Sequence, residues 1–177
     1  IKDMEIEDFV KGIKDVLSGG KTEMSHAEAQ KVVNEHFQKL AQEAYAQNKA
    51  SGEAFLAENA KDTTVKKTPK GVQYKVIKAG AGISPKMSDK VQVHYIGALL
   101  DGTEFDNSVK RGEPLEFPAS AVIEGWQDLL QVMKEGDKVK AWIPSALAYG
   151  EAGVPPMIPA NAMLVFEVEL LKVYAEV

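Results

Sequence analysis

The chain has 177 residues, of which 45% are hydrophobic and 27% are charged, a composition typical of a soluble protein with one or two small domains. Its net charge of −5, without any basic block, argues against a nucleic-acid-binding protein, and no stretch approaches the roughly 18 consecutive apolar residues of a membrane span. The absence of cysteine excludes disulfides and thiolate chemistry, and because the three histidines lack paired spacing we expect neither a metal nor any other cofactor. The start at Ile1, without an initiator methionine or signal peptide, is interpreted as a mature or trimmed product.

The first 67 residues contain no proline, and their apolar residues recur at helical spacing. All eight prolines lie at or beyond Pro69, as do both tryptophans. Since proline is excluded from helix interiors, this change predicts a domain boundary between Thr64 and Pro69. We therefore predict a helical domain over 1–67 and a second domain over 68–177.

Two apolar stripes predict two helices in the first domain. The first stripe, which ends at Gly19 and Gly20, consists of Ile6, Phe9, Val10, Ile13 and Leu17. The second helix is predicted from a capping box at Ser25–Glu28 to about Asn59, a length of about 50 Å, with Gly52 weakening it locally. Its apolar face consists of Ala29, Val32, Val33, Phe37, Leu40, Ala44 and Tyr45, followed by Phe55 and Leu56.

A helix of this length cannot bury its apolar stripe against one short partner helix. We expect a second copy of the chain to cover the stripe, and we expect the Lys- and Thr-rich segment 61–68 to hold the second domain away. The alternative is a helical pair folded back on its own domain.

The second domain shows the alternation of β-strands and one helical pattern. Strands are predicted around 72–76, 91–95, 139–143 and 164–170. The helix is predicted over 123–133, and residues 145–162, rich in Ala, Gly and Pro, are predicted to form a long structured loop. These elements indicate an α+β fold in which an antiparallel sheet packs on one helix.

Five motifs of the second domain carry a resemblance to a known family. They are Val93–Ser108, Val122–Trp126, Ile143-Pro144 with Ala148–Gly150, Ile158-Pro159, and Leu164–Leu171. In this order they resemble FKBP-type peptidyl-prolyl isomerases, and the helical first domain is similar to that of the macrophage infectivity potentiator (Mip)/FkpA-like group. The resemblance implies a curved antiparallel sheet wrapped on one short helix, preceded by an all-α domain with a long linking helix. In that group the helices intertwine two chains.

The resemblance also implies a shallow apolar pocket for a substrate proline. It assigns catalysis to Tyr95, Phe105, Asp106, Trp126, Tyr149 and Phe166, and substrate binding to Leu115, Phe117, Val122, Ile123 and Ile158. Trp126 would form the floor beneath the proline ring, while the Ile123 N–H and the Tyr149 hydroxyl would bind substrate carbonyls. Asp106 is expected to shape the polar wall together with Tyr149.

Two positions depart from the family pattern, and several residues have simpler interpretations. Leu115 stands where many members carry Phe, and Val154 where the small eukaryotic prototype carries His. Without the motifs, core packing alone would explain the aromatic residues, and Asp106 would be a turn residue. His94 alternates away from its neighbours, so we interpret it as a structural histidine.

The function that the resemblance implies is a dimeric foldase. Its partners would be proline-containing unfolded or partly folded polypeptides, a second copy of the chain and macrolide inhibitors, but no nucleic acid. The alternative is a chaperone, a binding module whose dimer clamps unfolded chains with apolar surface that includes Phe55 and Leu56, and in which catalysis matters little. A helical adaptor with a silent isomerase fold is a third interpretation. Relatives of this group are usually exported, so we expect the bacterial periplasm or an association with the outer membrane, with the cytoplasm as the alternative.

Overall fold

The computed structural model describes residues 14, 17–19 and 26–176 of the chain. Most of the predicted first helix and the first residue of the predicted capping box lie outside these residues. The end of the first helix is described: the Ser18 N–H donates to the Lys14 carbonyl at 2.9 Å, and Gly19 adopts a φ of +64°. The left-handed conformation of Gly19 ends the helical turn where the glycine pair predicted it.

The long helix, α1, extends over His26–Asn59 and confirms the prediction of one continuous helix. Gly52 does not interrupt it. A Cβ atom at Gly52 would lie 3.2 Å from the Cβ of Met163, so the missing side chain allows the helix to pack closely on the loop before the last strand. By its internal contacts the chain forms two compact units, Ile1–Gln42 and Glu43–Val177, which divide within α1.

The second unit contains a seven-stranded antiparallel sheet and two further helices. The strands are β1 (Lys66–Lys67), β2 (Gln73–Lys78), β3 (Lys90–Leu99), β4 (Glu104–Asn107), β5 (Leu115–Pro118), β6 (Lys138–Ile143) and β7 (Leu164–Tyr174). Their order is β1-β2-β6-β7-β3-β4, with β5 paired to β3. The helices are α2 (Ser108–Arg111) and α3 (Glu124–Val132). The predicted α+β fold, with a long helix before an antiparallel sheet and one core helix, is confirmed.

The hydrophobic core lies between α3 and the sheet. Alternate residues of β3 and β7 are buried, β6 buries four of its six residues, and α3 contributes Trp126, Leu129 and Leu130 to the core. The apolar residues at alternate strand positions and those on the apolar side of α3 therefore pack together in one core, as the sequence predicts. Within the residues that the structure describes, no helix is both long and apolar enough to span a membrane.

The expectation that residues 61–68 form a spacer is wrong. Lys66 and Lys67 form β1 and pair with β2, and Thr68 is buried. The Thr68 hydroxyl donates to the Asp128 carboxylate and accepts the Val72 N–H at 2.9 Å. These bonds fix the segment to the sheet and to α3, whereas the predicted division at 67/68 into two functional domains stays a prediction.

The last turns of α1 also pack on the sheet. The ring centroid of Phe55 lies 6.2 Å from that of Trp142, and the Gln73 side chain donates to the Leu56 carbonyl at 2.8 Å. Both Phe55 and Leu56 are half-buried. Their own unit therefore covers part of both side chains, and the expectation that they offer apolar surface to client chains stays a prediction.

Candidate functional site

An apolar cavity of about 260 Å³ opens beside the N-terminus of α3. Its lining consists of Tyr95, Phe105, Asp106, Leu115, Phe117, Ala121, Val122, Ile123, Trp126, Tyr149 and Phe166. The structure thus brings together every predicted site residue except Ile158, and it adds Ala121. The lining comes from strands β3, β4, β5 and β7, from the first turn of α3 and the segment 121–123 before it, and from the loop between β6 and β7.

Aromatic rings packed edge to face form the floor of the cavity. Trp126 is 5% exposed, and its ring centroid lies 5.4 Å from that of Tyr95, 5.8 Å from Phe117 and 5.2 Å from Phe166. Phe105 packs on Phe166 at 5.7 Å. Perpendicular rings place the positive edge of one against the negative face of the next, which stabilises such a cluster beyond its burial. The floor is therefore held by its own packing.

The rings approach so closely because β3 carries a glycine beneath them. A Cβ atom at Gly97 would lie 2.7 Å from the ring of Phe105 and 2.8 Å from that of Phe166. Any larger residue would displace these rings, so the absence of a side chain at Gly97 is part of the geometry of the site.

A charged pair and a phenol form the polar wall. The Tyr95 hydroxyl and the Arg111 guanidinium both donate to the Asp106 carboxylate, each to a different oxygen. The guanidinium also lies 5.9 Å from the centroid of the Tyr95 ring. Helix α2 brings Arg111 to this position, and its N-terminus is capped by Asn107, whose side chain accepts the Lys110 N–H at 3.0 Å. The partners of Asp106 are thus Tyr95 and Arg111, and the expectation that Asp106 shapes the polar wall together with Tyr149 stays a prediction.

Besides Ala121 in the lining, the sequence interpretation missed Arg111 beside the Asp106 carboxylate. The signal available for it was the Asn-Ser pair after Asp106, since an asparagine N-cap predicts a helical turn that returns the chain toward its start. Without that turn, nothing in the sequence indicates which of the nearby basic residues reaches the carboxylate.

The polar wall holds fixed protonation states near neutral pH. Burial alone would raise the pKa of Asp106, but the hydrogen bonds from Tyr95 and Arg111 outweigh it and lower the pKa below its ordinary value. Burial, and then the hydrogen bond to Asp106, raise the pKa of Tyr95 above its ordinary value. The carboxylate therefore stays ionised and the phenol stays protonated. Groups with fixed protonation states are unsuited to proton transfer but present a constant charge distribution to a ligand in the cavity.

Two hydrogen-bond donors lie at the rim. Tyr149 is 40% exposed, in the loop between β6 and β7. Ile123 directly precedes α3, and its carbonyl accepts the Trp126 and Gln127 N–H groups at 3.0 and 3.1 Å. Within residues 26–176, the Ile123 N–H donates no hydrogen bond. Both the hydroxyl of Tyr149 and this N–H are available for a ligand.

Two further predictions concern residues outside the lining. Ile158 is 5% exposed and packs in the hydrophobic core, because backbone hydrogen bonds of 2.8 and 2.9 Å with Val154 close a tight turn there. Its assignment to the pocket lining is wrong. The Nδ1 of His94 lies 3.0 Å from the Ser108 hydroxyl oxygen, away from the cavity, which confirms the interpretation of His94 as a structural histidine.

Comparisons with known families match both parts of the chain. Residues 82–171 match the model described as FKBP-type peptidyl-prolyl cis-trans isomerase. Residues 1–76 match the model described as the domain amino terminal to FKBP-type peptidyl-prolyl isomerase.

Individual relatives extend over most of the chain. An FKBP-type peptidyl-prolyl cis-trans isomerase FkpA of Aeromonas hydrophila is 47% identical over 93% of this chain, which spans 63% of that relative's length. The FKBP-type 22 kDa peptidyl-prolyl cis-trans isomerase of Escherichia coli strain K12 is 43% identical over 94% of this chain and 82% of its own length. The crystal structure of FkpA from Escherichia coli has a TM-score of 0.82 at 40% identity, covering 97% of this chain and 83% of that one.

Proposed function

Because this chain belongs to the FKBP-type peptidyl-prolyl cis-trans isomerase family, we propose that its cavity binds a proline of an unfolded or partly folded polypeptide and accelerates isomerisation of the preceding peptide bond. The observation that carries the proposal is the aromatic cavity of about 260 Å³, with Trp126 as its floor and one fixed polar wall. A proline ring is apolar and lacks an N–H group, so a hydrocarbon floor binds it without leaving a donor unpaired.

The chemistry requires no covalent step, only a loss of amide planarity. Rotation about the X–Pro bond takes tens to hundreds of seconds, because amide resonance sets a barrier of about 18–20 kcal/mol. The planar amide has more charge separation between oxygen and nitrogen than the twisted one. An apolar cavity that excludes water therefore disfavours the planar form relative to the transition state.

Each part of the site has a role in this proposal. Trp126 holds the proline ring, and the Ile123 N–H and the Tyr149 hydroxyl bind carbonyls on either side of the rotating bond. The Asp106 carboxylate, held by Tyr95 and Arg111, repels a carbonyl oxygen that carries its full resonance charge. The repulsion falls as resonance is lost, so the wall favours the twisted amide.

Magnitudes indicate which contribution dominates. An acceleration of about 10⁵ requires about 7 kcal/mol, whereas one hydrogen bond contributes about 0.5–1.5 kcal/mol net. Desolvation and shape must supply most of the difference, in agreement with a lining that is mainly hydrocarbon.

The test is the cis/trans exchange rate of a short X–Pro peptide, measured by NMR exchange spectroscopy with the full chain. We expect the rate to rise in proportion to protein concentration, and a series of peptides with different residues before proline gives the preference of the site. A folded protein that leaves the exchange rate at its uncatalysed value would contradict the proposal.

A second candidate function, chaperone activity as a homodimer, rests on the exposed apolar face of α1. Along this helix Val32, Val33 and Leu40 are about half exposed and Phe37 is 66% exposed. So many exposed apolar side chains on one helix are typical of a surface that another chain covers. In this proposal a second copy covers the face, and the dimer holds unfolded clients.

Both parts of this second proposal have a direct measurement. Sedimentation of the full chain should give a dimer, and Phe37→Glu should shift it to monomer, whereas the substitution Gln38→Glu at an exposed neighbouring position should not. Suppression of the aggregation of a proline-free client measures chaperone activity separately from isomerisation. A monomeric wild type would contradict the dimer, and equal behaviour of the two variants would contradict an interface that contains Phe37.

We also propose a periplasmic or outer-membrane-associated location and an affinity for macrolide inhibitors. The relatives reported above are bacterial, and the aromatic floor of the cavity suits a large apolar ligand. Cell fractionation tests the location. Competition between a macrolide and the X–Pro peptide tests the affinity, with Leu115→Phe as the variant that restores the common family residue at the rim.

A further inference from the structure

The second half of α1 is hydrogen-bonded to the loop that connects the cavity rim to β7. The Asn48 side chain donates to the Ala160 carbonyl at 3.1 Å, and the Asn161 side-chain nitrogen lies 3.5 Å from the Tyr45 carbonyl. The helix packs closely at this point, because Gly52 lies against Met163. All of these residues belong to the compact unit Glu43–Val177.

The same loop residue reaches the cavity rim on its other side. The Asn161 N–H donates to the Gly150 carbonyl at 2.8 Å, and Gly150 directly follows Tyr149. Asn161 has a φ of +56°, a left-handed conformation that asparagine tolerates better than most residues. Its side chain and its backbone therefore link two segments: the helix at Tyr45 and the rim at Gly150.

Other hydrogen bonds that fix the backbone around Tyr149 lie inside the same loop. The Gly150 N–H donates to the Ser145 carbonyl at 2.9 Å, and the Tyr149 carbonyl accepts the Gly153 N–H at 3.1 Å. The side chain is 40% exposed. The bond from Asn161 to Gly150 is therefore the link between the rim and a residue that α1 holds directly.

We infer that Asn48 of α1 is a positioning residue for isomerisation: it holds the Ala160-Asn161 segment, which holds Gly150 and thereby the Tyr149 hydroxyl above the cavity. The inference rests on the proposed function. Asn48 touches no substrate, and its effect passes through the loop. Because a displacement of about 1 Å in a substrate-positioning group can cost up to about 100-fold in rate, loss of this one bond lowers catalysis.

The test compares variants of the full chain in the X–Pro exchange assay. Asn48→Asp removes the donor with little change in size, Asn48→Gln retains a donor, and Lys49→Ala is the control at the neighbouring exposed position of the same helix. We expect Asn48→Asp to lower kcat/KM by about 2- to 10-fold, the range of one net hydrogen bond. Asn48→Gln should recover part of the loss, and Lys49→Ala should match the wild type.

A double-mutant cycle separates positioning from a general loss of stability. In a Tyr149→Phe background, which lacks the hydroxyl, Asn48→Asp should cause no further loss of activity. Independent, additive losses would overturn the inference, as would equal activities of Asn48→Asp and Lys49→Ala. If Asn48→Asp fails to fold, Asn48→Ala replaces it, because alanine removes the same donor without adding a charge and favours the helix.

A failure of the proposed function gives a different result. In that case the wild type itself leaves the exchange rate unchanged, and the Tyr149 ring resonances of selectively labelled protein become the measurement. A shift of these resonances in Asn48→Asp, but not in Lys49→Ala, supports the positioning role. Identical resonances in the two variants overturn it.

Discussion

Trp126→Ala removes the floor of the cavity and is the most direct perturbation of the proposed mechanism. The indole is 5% exposed and contacts Tyr95, Phe117 and Phe166. A proline ring resting on it would bury about 80 Å² of apolar surface, which at about 25 cal/mol per Å² contributes about 2 kcal/mol. Because the contact persists into the transition state, we expect kcat/KM to fall by about 30-fold at 1.36 kcal/mol per factor of ten.

The second tryptophan of the chain is the matched control. Trp142 is also buried, but it packs on Phe55 and does not line the cavity. Both substitutions to alanine should lower the free energy of unfolding by about 3–5 kcal/mol. Urea denaturation measures this loss, and the exchange assay at low temperature measures activity. Trp142→Ala and His94→Ala should both retain activity within about threefold. Equal activity losses for Trp126→Ala and Trp142→Ala at equal stability would refute the assignment of Trp126 to the substrate.

Three further predictions concern the lining. Gly97→Ala places a methyl group 2.7 Å from the ring of Phe105, so we expect a loss of about 1–3 kcal/mol in the free energy of unfolding, by urea titration, together with lower kcat/KM. Asp106→Asn retains an acceptor for the Tyr95 hydroxyl but removes the charge that holds Arg111. We expect kcat/KM to fall about tenfold, with a change of under about 1 kcal/mol in the free energy of unfolding. A fully active variant would remove Asp106 from the site. Since the pKa of Asp106 is lowered and that of Tyr95 is raised, kcat/KM should be flat from about pH 5 to pH 9, and a bell-shaped profile between these pH values would indicate proton transfer. The stability that Asp106 contributes should be lost only as the pH falls through its lowered pKa.

Hydrophobic periodicity predicted those elements that are long enough to show a period. β3 and β7 alternate between buried and partly exposed residues over most of their length, and α3 buries one side. β1, β4 and β5 have two to four residues each and show no such alternation. Their pairing is set by neighbouring strands, which a sequence pattern does not contain.

The candidate site divides in the same way. Aromatic residues of the lining were predictable, because the family motifs carry them and strand alternation directs them to the core side. The partner of Asp106 was not, since it depends on a one-turn helix that returns Arg111 to the carboxylate. Ile158 was misassigned because the turn it closes with Val154 buries it in the core.

Composition and packing divide the chain at different places, and the difference bears on mechanism. Proline is absent up to residue 68, yet the compact unit that contains the cavity begins at Glu43, inside a proline-free helix. Composition indicates only that the segment forms a helix. The contacts of Gly52 with Met163 and of Phe55 with Trp142 show which part of that helix packs on the second unit. A fragment that begins at residue 68 would keep the cavity lining but lose Asn48 and its bond to the loop. Under the positioning role inferred for α1, such a fragment should bind proline peptides but isomerise them more slowly than the full chain, and equal rates would mean that the helix only supports the fold.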